Sequence, residues 1–298
     1  MSEGTRKGLW WLASYPKSGN TWTRAFLANL LSGSEQPVDI NALETGAIAS
    51  SRPWVEDALG FDISELNHDE VDALRPAAYR WVAAHTATDY HKIHDAYTYL
   101  PDGSPLIPRE ATCGAVCIIR NPLDVVPSYA NHSSISIEQS VSAICNAGHA
   151  FCKSPRRQSN QLRQQLLTWS AHVESWLDAD LSKLVVRYED LKAEPVKWFT
   201  AITRFLEIDR DEAAIAGAIE RARFENLRRQ EDEKGFVEKA PKVKNFFRKG
   251  QVGGWRGELT EAQVRRVIEA NRPAMLRMGY LQANGELAES LAPLSSPA

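Results

Sequence analysis

Short apolar runs alternate along this chain with stretches whose apolar positions recur every three to four residues, the pattern of strands separated by amphipathic helices. Runs at about 9 to 14, 80 to 84, 115 to 120 and 183 to 187 read as strands. Helical periodicity covers about 20 to 32, 68 to 78, 122 to 131, 137 to 150, 160 to 179, 195 to 207, 211 to 222 and 260 to 277. This order predicts an α/β fold with a central parallel sheet flanked by helices on both faces, whose ligands sit at the carboxyl ends of the strands. The 298 residues, 43% of them apolar, suffice for one such domain over 1–284, with a flexible tail over 285–298 that carries Pro293 and Pro297.

Three segments interrupt this pattern with chemistry. After the first strand comes Tyr15-Pro16-Lys17-Ser18-Gly19-Asn20-Thr21-Trp22, a tight turn running into a helix. Pro16 fixes one backbone angle and Gly19 permits an unusual one, so successive N–H groups can converge on an anion at the positive end of that helix. Lys17 adds a point charge, and Asn20 or Thr21 can cap the helix. In the Walker A loop the lysine follows the glycines and precedes a Ser/Thr that holds magnesium; here the lysine comes first and only one glycine is present.

The second segment follows the apolar run Ala115–Ile119: Arg120-Asn121-Pro122 ends the strand and opens a helix, and Ser128 lies about two turns on. The planar fork of Arg120 suits two phosphate oxygens at once. The third segment is Arg248-Lys249-Gly250-Gln251-Val252-Gly253-Gly254-Trp255-Arg256, two cations beside three glycines without helical period. It is a loop able to fold over an anion.

In this order the three strings resemble the sulfotransferases that use 3′-phosphoadenosine 5′-phosphosulfate, PAPS. The octet 15–22 looks like their 5′-phosphosulfate loop, 120–128 like their 3′-phosphate segment R-N-P-x-D-x-x-x-S, and 248–256 like their R-K-G-x-x-G-D-W-[KR] signature, with Gly254 in place of the acidic residue. Leu184–Leu191 resembles the strand that carries Y-E-D-L, which brings in Tyr188, and Phe224 stands where the family has an aromatic near adenine. The resemblance spans residues 9 to about 256. It implies a P-loop-like fold and transfer of the sulfuryl group of PAPS to a hydroxyl, less readily an amine, of a small acceptor. PAP is the product, and no metal is required.

By that comparison Lys17, Ser18, Gly19, Asn20, Thr21 and Trp22 hold the 5′ end and the adenine. Arg120, Ser128, Arg248, Lys249 and Gly250 grip the 3′-phosphate, while Tyr188 and Phe224 line the nucleotide site. The catalytic pair is Lys17 and His85. His85-Thr86 follows the expected strand 80–84, where the family has K-T-H, and its neutral imidazole would take the proton of the acceptor hydroxyl. The family's lysine two residues before that histidine is Ala83 here, so Lys92 or Lys17 must substitute; His91, His94 and His132 are the other candidate bases.

Composition narrows the alternatives. A net charge of −3 gives no global field for nucleic acid or anionic membrane, so attraction for a nucleotide is local. No early apolar stretch is long enough for a signal peptide or a membrane span, which predicts a cytoplasmic protein. Cys113, Cys117, Cys145 and Cys152 match no zinc or redox spacing, and His85, His91 and His94 lack a metal-site pattern around them. The charged stretch 228–244 reads as a mobile loop and a candidate lid. A non-catalytic PAPS-binding protein, or a P-loop nucleotide kinase dependent on magnesium, remains the competing reading. The identity of the acceptor is open, and so is homo-oligomerisation.

Overall fold

Parallel pairing of buried strands organises the chain in a computed structural model that describes residues 7–43, 45–154, 159–292 and 294. The amino-terminal half contains β1 (Leu9–Ser14), α1 (Asn20–Ser32), α2 (Arg52–Leu59), α3 (His68–His85), β2 (Asp89–Ile93), β3 (Thr112–Ile119), α4 (Pro122–Ser133) and α5 (Ile137–Ile144). There follow β4 (Ala150–Phe151), β5 (Gln164–Gln165), α6 (Trp169–Asp178), β6 (Lys183–Arg187), α7 (Tyr188–Ala193), α8 (Pro195–Phe205), α9 (Glu212–Arg221), α10 (Phe224–Lys234) and α11 (Glu261–Arg277). The main sheet has the order β2-β1-β3-β6 with every pair parallel, and β4 and β5 form a small antiparallel ladder.

Side chains of β1 alternate between two cores, as the pleat requires. Trp10 and Leu12 join Phe26, Val116, Ile118, Val186, Phe199 and Ile202 on the face covered by α1, α8 and α9. Leu9, Trp11 and Ala13 join Val55, Tyr79, Val82, Cys117 and Trp176 on the face covered by α2, α3 and α6. A third cluster, with Leu123, Val126, Trp169, Met275 and Tyr280, packs α4, α5 and α11 beyond the end of the sheet.

The fold expected from the sequence is thus present, with local corrections. Residues 80–84 are helical. Asn67 and Glu70 form a capping box that starts α3, and Val71, Arg75, Ala78, Tyr79 and Val82 continue one buried stripe at helical spacing. The strand in that part of the sheet is β2, whose Asp89, His91 and Lys92 hide its alternation. It is an edge strand, and its outer side is covered where Ala49 N donates to Lys92 O at 2.8 Å. The expected helix 160–179 starts only at Trp169, capped by Thr168. The first part of the charged 228–244 stretch is helix α10 rather than loop. Of the tail, residues 293 and 295–298 lie outside the described residues, while Arg187 Nη2 donates to Ala292 O at 2.6 Å.

One buried charge cluster fixes the end of β2. Arg75 is fully buried; its Nη1 and Nη2 donate to Asp95 at 3.1 and 2.8 Å, Nη1 also reaches Asp72 at 3.2 Å, and Nε donates to Tyr79 Oη at 2.9 Å. Removing the guanidinium leaves buried Asp95 without a cation, while Asp72 keeps Arg163, whose Nη2 donates to its Oδ2 at 2.6 Å. Arg75→Met should cost about 3–5 kcal/mol in urea unfolding. A loss below about 1 kcal/mol, the range of exposed pairs, would show that the cluster does not anchor this strand end.

Candidate functional site

All four strands of the main sheet deliver a functional side chain at their carboxyl ends: Lys17 just after β1, His94 after β2, Arg120 after β3 and Tyr188 after β6. These four residues line one cleft of about 1260 Å³. Of the residues expected from the sequence, Lys17, Gly19, Asn20, Thr21, Trp22, Arg120, Ser128, Tyr188, Phe224, Arg248, Lys249 and Gly250 all line it, although they come from five separate parts of the chain. Ser18 does not. It is fully buried and faces a small internal pocket shared with Tyr15, Trp169 and His172.

The loop after β1 owes its shape to two residues with positive φ, Lys17 at 73° and Gly19 at 108°. For Lys17 this is a sparsely populated conformation, maintained because Arg120 Nη1 donates to Lys17 O at 3.1 Å. For Gly19 the reason is also contact, since a Cβ there would lie 2.7 Å from the Tyr188 ring. Neither Asn20 nor Thr21 caps α1. Gly19 is the N-cap without a side-chain bond, and Asn20 Nδ2 turns inward to Leu12 O at 2.8 Å and Ser14 Oγ at 3.1 Å, tying the loop to the strand it leaves. The first N–H groups of the helix are therefore free of side-chain caps, which suits an anion.

Around this loop the other segments interlock. The Arg120 guanidinium lies 4.5 Å from the Tyr188 ring centroid, and its Nη2 donates to Gln251 O at 2.9 Å. Tyr188 Oη donates to Gly250 O at 3.0 Å. Asp124 on α4 accepts from Gly253 N at 2.7 Å and Trp255 N at 3.1 Å, so the loop 248–256 is held despite the missing acid at 254. Gly250 approaches Phe224 so closely that a Cβ would sit 2.7 Å from its ring. Buried Glu231 accepts from Phe246 N at 2.6 Å and Phe247 N at 2.9 Å. The end of α10 thereby orients the approach to this loop.

Cations crowd the cleft. Lys17 Nζ rests 3.5 Å from the Phe246 centroid, and burial, with Lys92 and Arg120 nearby, pulls its pKa down to about 7. Burial also lowers Lys92, opposed by Glu238. Glu238 reaches across from the segment after α10 to Arg24 at 2.5 Å and Lys92 at 3.0 Å. Burial works against its charge, but Lys92 and Arg24 outweigh it and hold the carboxyl well below the usual range. Glu258 plays the same part for Arg248, at 2.7 and 2.9 Å, and for Lys249 at 2.9 Å. Even so, Trp22 Nε1, Arg120 Nε and His132 Nδ1 are buried there without a hydrogen-bond partner.

The histidines are redistributed. His85 ends α3, exposed, with its ring stacked on Trp81 and Nδ1 2.8 Å from Trp81 O, and it does not line the cleft. The expected strand before it is helix, and the residue that follows the strand in this part of the sheet, β2, does line the cleft. That residue is His94. Its Nδ1 donates to Ser14 O at 2.7 Å, which leaves Nε2 as the basic nitrogen. Burial and then Lys92 push its pKa far below the usual imidazole value, so the ring is neutral. His132 also lines the cleft, lowered to about 3 by burial, Lys17 and Lys92. Lys92-Ile93-His94 carries a lysine two residues before a histidine, the spacing that Ala83 breaks before His85 and a signal in the sequence that points to the end of β2. Glu238, Arg24 and Phe246 were also missed, because nothing local marks them. Among the described residues no group of three or more His, Cys, Asp or Glu is placed to hold a metal ion, and no helix is long and apolar enough to cross a membrane.

The family model described as the sulfotransferase domain matches residues 9–279. Cytosolic sulfotransferase 8 of Arabidopsis thaliana is 26% identical, over 84% of this chain and 71% of that protein. Flavonol 3-sulfotransferase of Flaveria bidentis is 25% identical, over 86% of this chain and 78% of its own. Among solved structures, mouse sulfotransferase SULT7A1 complexed with PAP superposes with a TM-score of 0.56 at 20% identity, covering 94% of this chain and 87% of the other. Retinol dehydratase in complex with androsterone and PAP gives 0.57 at 18% identity, covering 94% and 84%.

The close approach of Gly19 to Tyr188 separates two effects that an alanine would have. Gly19→Ala should destabilise by about 1–3 kcal/mol in urea unfolding and by more than Gly33→Ala. Gly33 also has positive φ, but a Cβ there meets nothing within 4 Å. Equal losses would mean that backbone conformation alone, and not the Tyr188 contact, requires glycine in the loop.

Proposed function

The chain belongs to the sulfotransferase-domain family, and we propose that its cleft binds PAPS and transfers the sulfuryl group to a hydroxyl of a small-molecule acceptor. The observation that carries this reading is the convergence of Lys17, His94, Arg120 and the loop 248–250 on one cleft at the carboxyl ends of the strands. The unpartnered Trp22 Nε1 and Arg120 Nε, the uncapped start of α1 and the surplus of cations all fit a bisphosphorylated nucleotide. The names of the relatives support the donor and the acceptor class: PAP in both solved complexes, a flavonol and a steroid as hydroxylated partners. The word cytosolic in a relative's name supports a cytoplasmic location.

The donor supplies an already activated sulfuryl group. Lys17 and the backbone N–H groups at the start of α1 would hold the 5′-phosphate and offset the negative charge that grows on it as the bond to sulfur breaks. Arg120, Ser128, Arg248, Lys249 and the backbone of Gly250 would hold the 3′-phosphate, with Trp22, Tyr188 and Phe224 against the adenine. The last contacts require Arg248 and Lys249 to exchange Glu258 for phosphate. His94 Nε2 would take the proton of the acceptor hydroxyl while Nδ1–H stays on Ser14 O, and Lys92 would steady the sulfuryl oxygens. Transfer from PAPS to a panel of phenols and alcohols, with and without EDTA, tests this directly. Donor binding without turnover would favour a binding protein, and EDTA-sensitive phosphoryl transfer a kinase.

His94→Ala should lower kcat by about 10²–10⁴-fold with PAP affinity retained, whereas His85→Ala should change neither. If His132→Ala carries the loss instead, that residue is the base. Lys17 gives a pH signature. With its pKa near 7 in the free protein, it is charged below that value and loses charge above it. Phosphate beside the amine favours the charged form, so binding PAP at about pH 8 should take up a proton, and affinity should fall as pH rises through the Lys17 pKa. Calorimetry in buffers of different ionisation enthalpy reads that uptake, which Lys17→Met should abolish; uptake that survives the substitution belongs to another group.

A further inference from the structure

Gln164, on β5, is fully buried and lines the cleft, yet only half of its amide is used. Nε2 donates to Gln161 Oε1 at 2.8 Å, while Oε1 has no hydrogen-bond partner. A buried amide oxygen left this way is costly unless something else satisfies it. Its location is set by the segment that follows the reacting histidine. Gln165 N donates to Asp95 Oδ1 at 3.2 Å, and Ala96 N donates to Gln165 O at 2.7 Å, so β5 runs directly beside the residues after His94. Asp95 is in turn locked by Arg75. The oxygen is thus mounted on the same rigid frame as the proposed base.

The lining near Gln164 is uncharged: Phe151, its partner across the β4–β5 ladder, lines the cleft together with Cys152, Ser159, Asn160 and Gln161, and Ile48 and Phe246 add apolar surface to the same cleft. Glu238, which lines the same cleft, is already committed to Arg24 and Lys92. What this part of the cleft offers a ligand is therefore a surface without charge, partly apolar, and a hydrogen-bond acceptor that no protein group satisfies. We propose that Gln164 is a specificity-determining residue for the acceptor, and that the acceptor is an uncharged molecule with an apolar body and two hydroxyls. One hydroxyl meets His94 and reacts; the other donates to Gln164 Oε1. The inference rests on the sulfotransferase reading and narrows its acceptor class to diols and diphenols. A monohydroxylated analogue would bury the amide oxygen against carbon and forfeit the bond.

The test pairs isomeric dihydroxybiphenyls with the monohydroxybiphenyls that lack the second group. Affinity is measured by calorimetry on the full chain saturated with PAP, and kcat/KM with PAPS. At least one diphenol should exceed its monophenol partner by about tenfold or more in both measures. Gln164→Met, similar in length but unable to accept strongly, should shrink that ratio to near unity. Gln164→Glu, which keeps an acceptor oxygen, should preserve a preference for the diphenol. The wild-type comparison needs no variant, so a Gln164→Met chain that fails to fold does not spare the idea. The proposal is overturned if no diphenol outperforms its partner, or if the ratio survives in Gln164→Met. Failure to bind PAP at all would instead remove the sulfotransferase reading beneath it, which the calorimetry detects separately.

Discussion

Charge crowding is the constraint on which this cleft depends. Lys17, Arg24, Lys92, Arg120, Arg248 and Lys249 face one partly desolvated space, and like charges brought together away from water either find anions or surrender protons. Both responses are visible. Glu238 and Glu258 each clasp two cations, and Lys17, for which the structure gives an aromatic face in place of a carboxylate, has its pKa drawn toward neutrality. On the proposed reading such a site binds a polyanion by substitution, phosphate replacing the Glu258 carboxylate on Arg248 and Lys249. The net gain is the difference between two ion pairings rather than the whole of one, which favours a ligand bearing several charges that exchange together.

The sheet makes this crowding affordable by fixing where the charges emerge. Parallel strands all end on the same rim, so Lys17, three residues past the end of β1, and His94, Arg120 and Tyr188, each one residue past theirs, share one opening without any of them being near in sequence. The rim is then stiffened from behind. Asn20 ties the first loop to β1, Arg75 clamps Asp95 beside His94, and Arg120 bridges the carbonyls of Lys17 and Gln251. Each is a polar bond made by a residue that also adjoins or belongs to the site, so positioning and chemistry share the same few side chains.

What could be read in advance was what is written in consecutive residues. The loop 15–22, the segment 120–128 and the loop 248–256 announce an anion site because turn residues, cation and helix start lie side by side, and all three open on the cleft. The parallel fold followed from buried strands such as Ala115–Ile119, whose apolar run is uninterrupted. The edge strand was illegible for the opposite reason: Asp89, His91 and Lys92 serve packing, loop pairing and the site rather than alternation, whereas Tyr79–Ala84, the carboxyl-terminal part of α3, imitates a strand. That exchange led the sequence reading to His85, whereas the histidine that follows the strand and lines the cleft is His94. Ser18 and Asn20 failed differently. Their neighbours in sequence suggested a ligand contact and a helix cap, but the tertiary structure turns both inward.

Residues that no local pattern marks are also those that distinguish this chain's cleft from a generic anion site. Glu238 and Gln164 come from segments without a motif, and each is positioned by residues far away in sequence: Glu238 by Arg24 and Lys92, and Gln164, through its neighbour Gln165, by the residues after His94. Motifs encode what every donor-binding site of this kind needs, because phosphate is the same everywhere; the acceptor end is built by loops free to vary, so its chemistry lies in three-dimensional juxtaposition. Glu238 shows how the two ends are linked. Its carboxylate pairs with Arg24 and with Lys92, two residues before His94, so on the proposed reading a charged acceptor group near them would compete for those cations and disturb the lysine assigned to the sulfuryl oxygens. A neutral acceptor leaves that pairing intact, and the electrostatics of the donor site thereby restrict the chemistry of the acceptor.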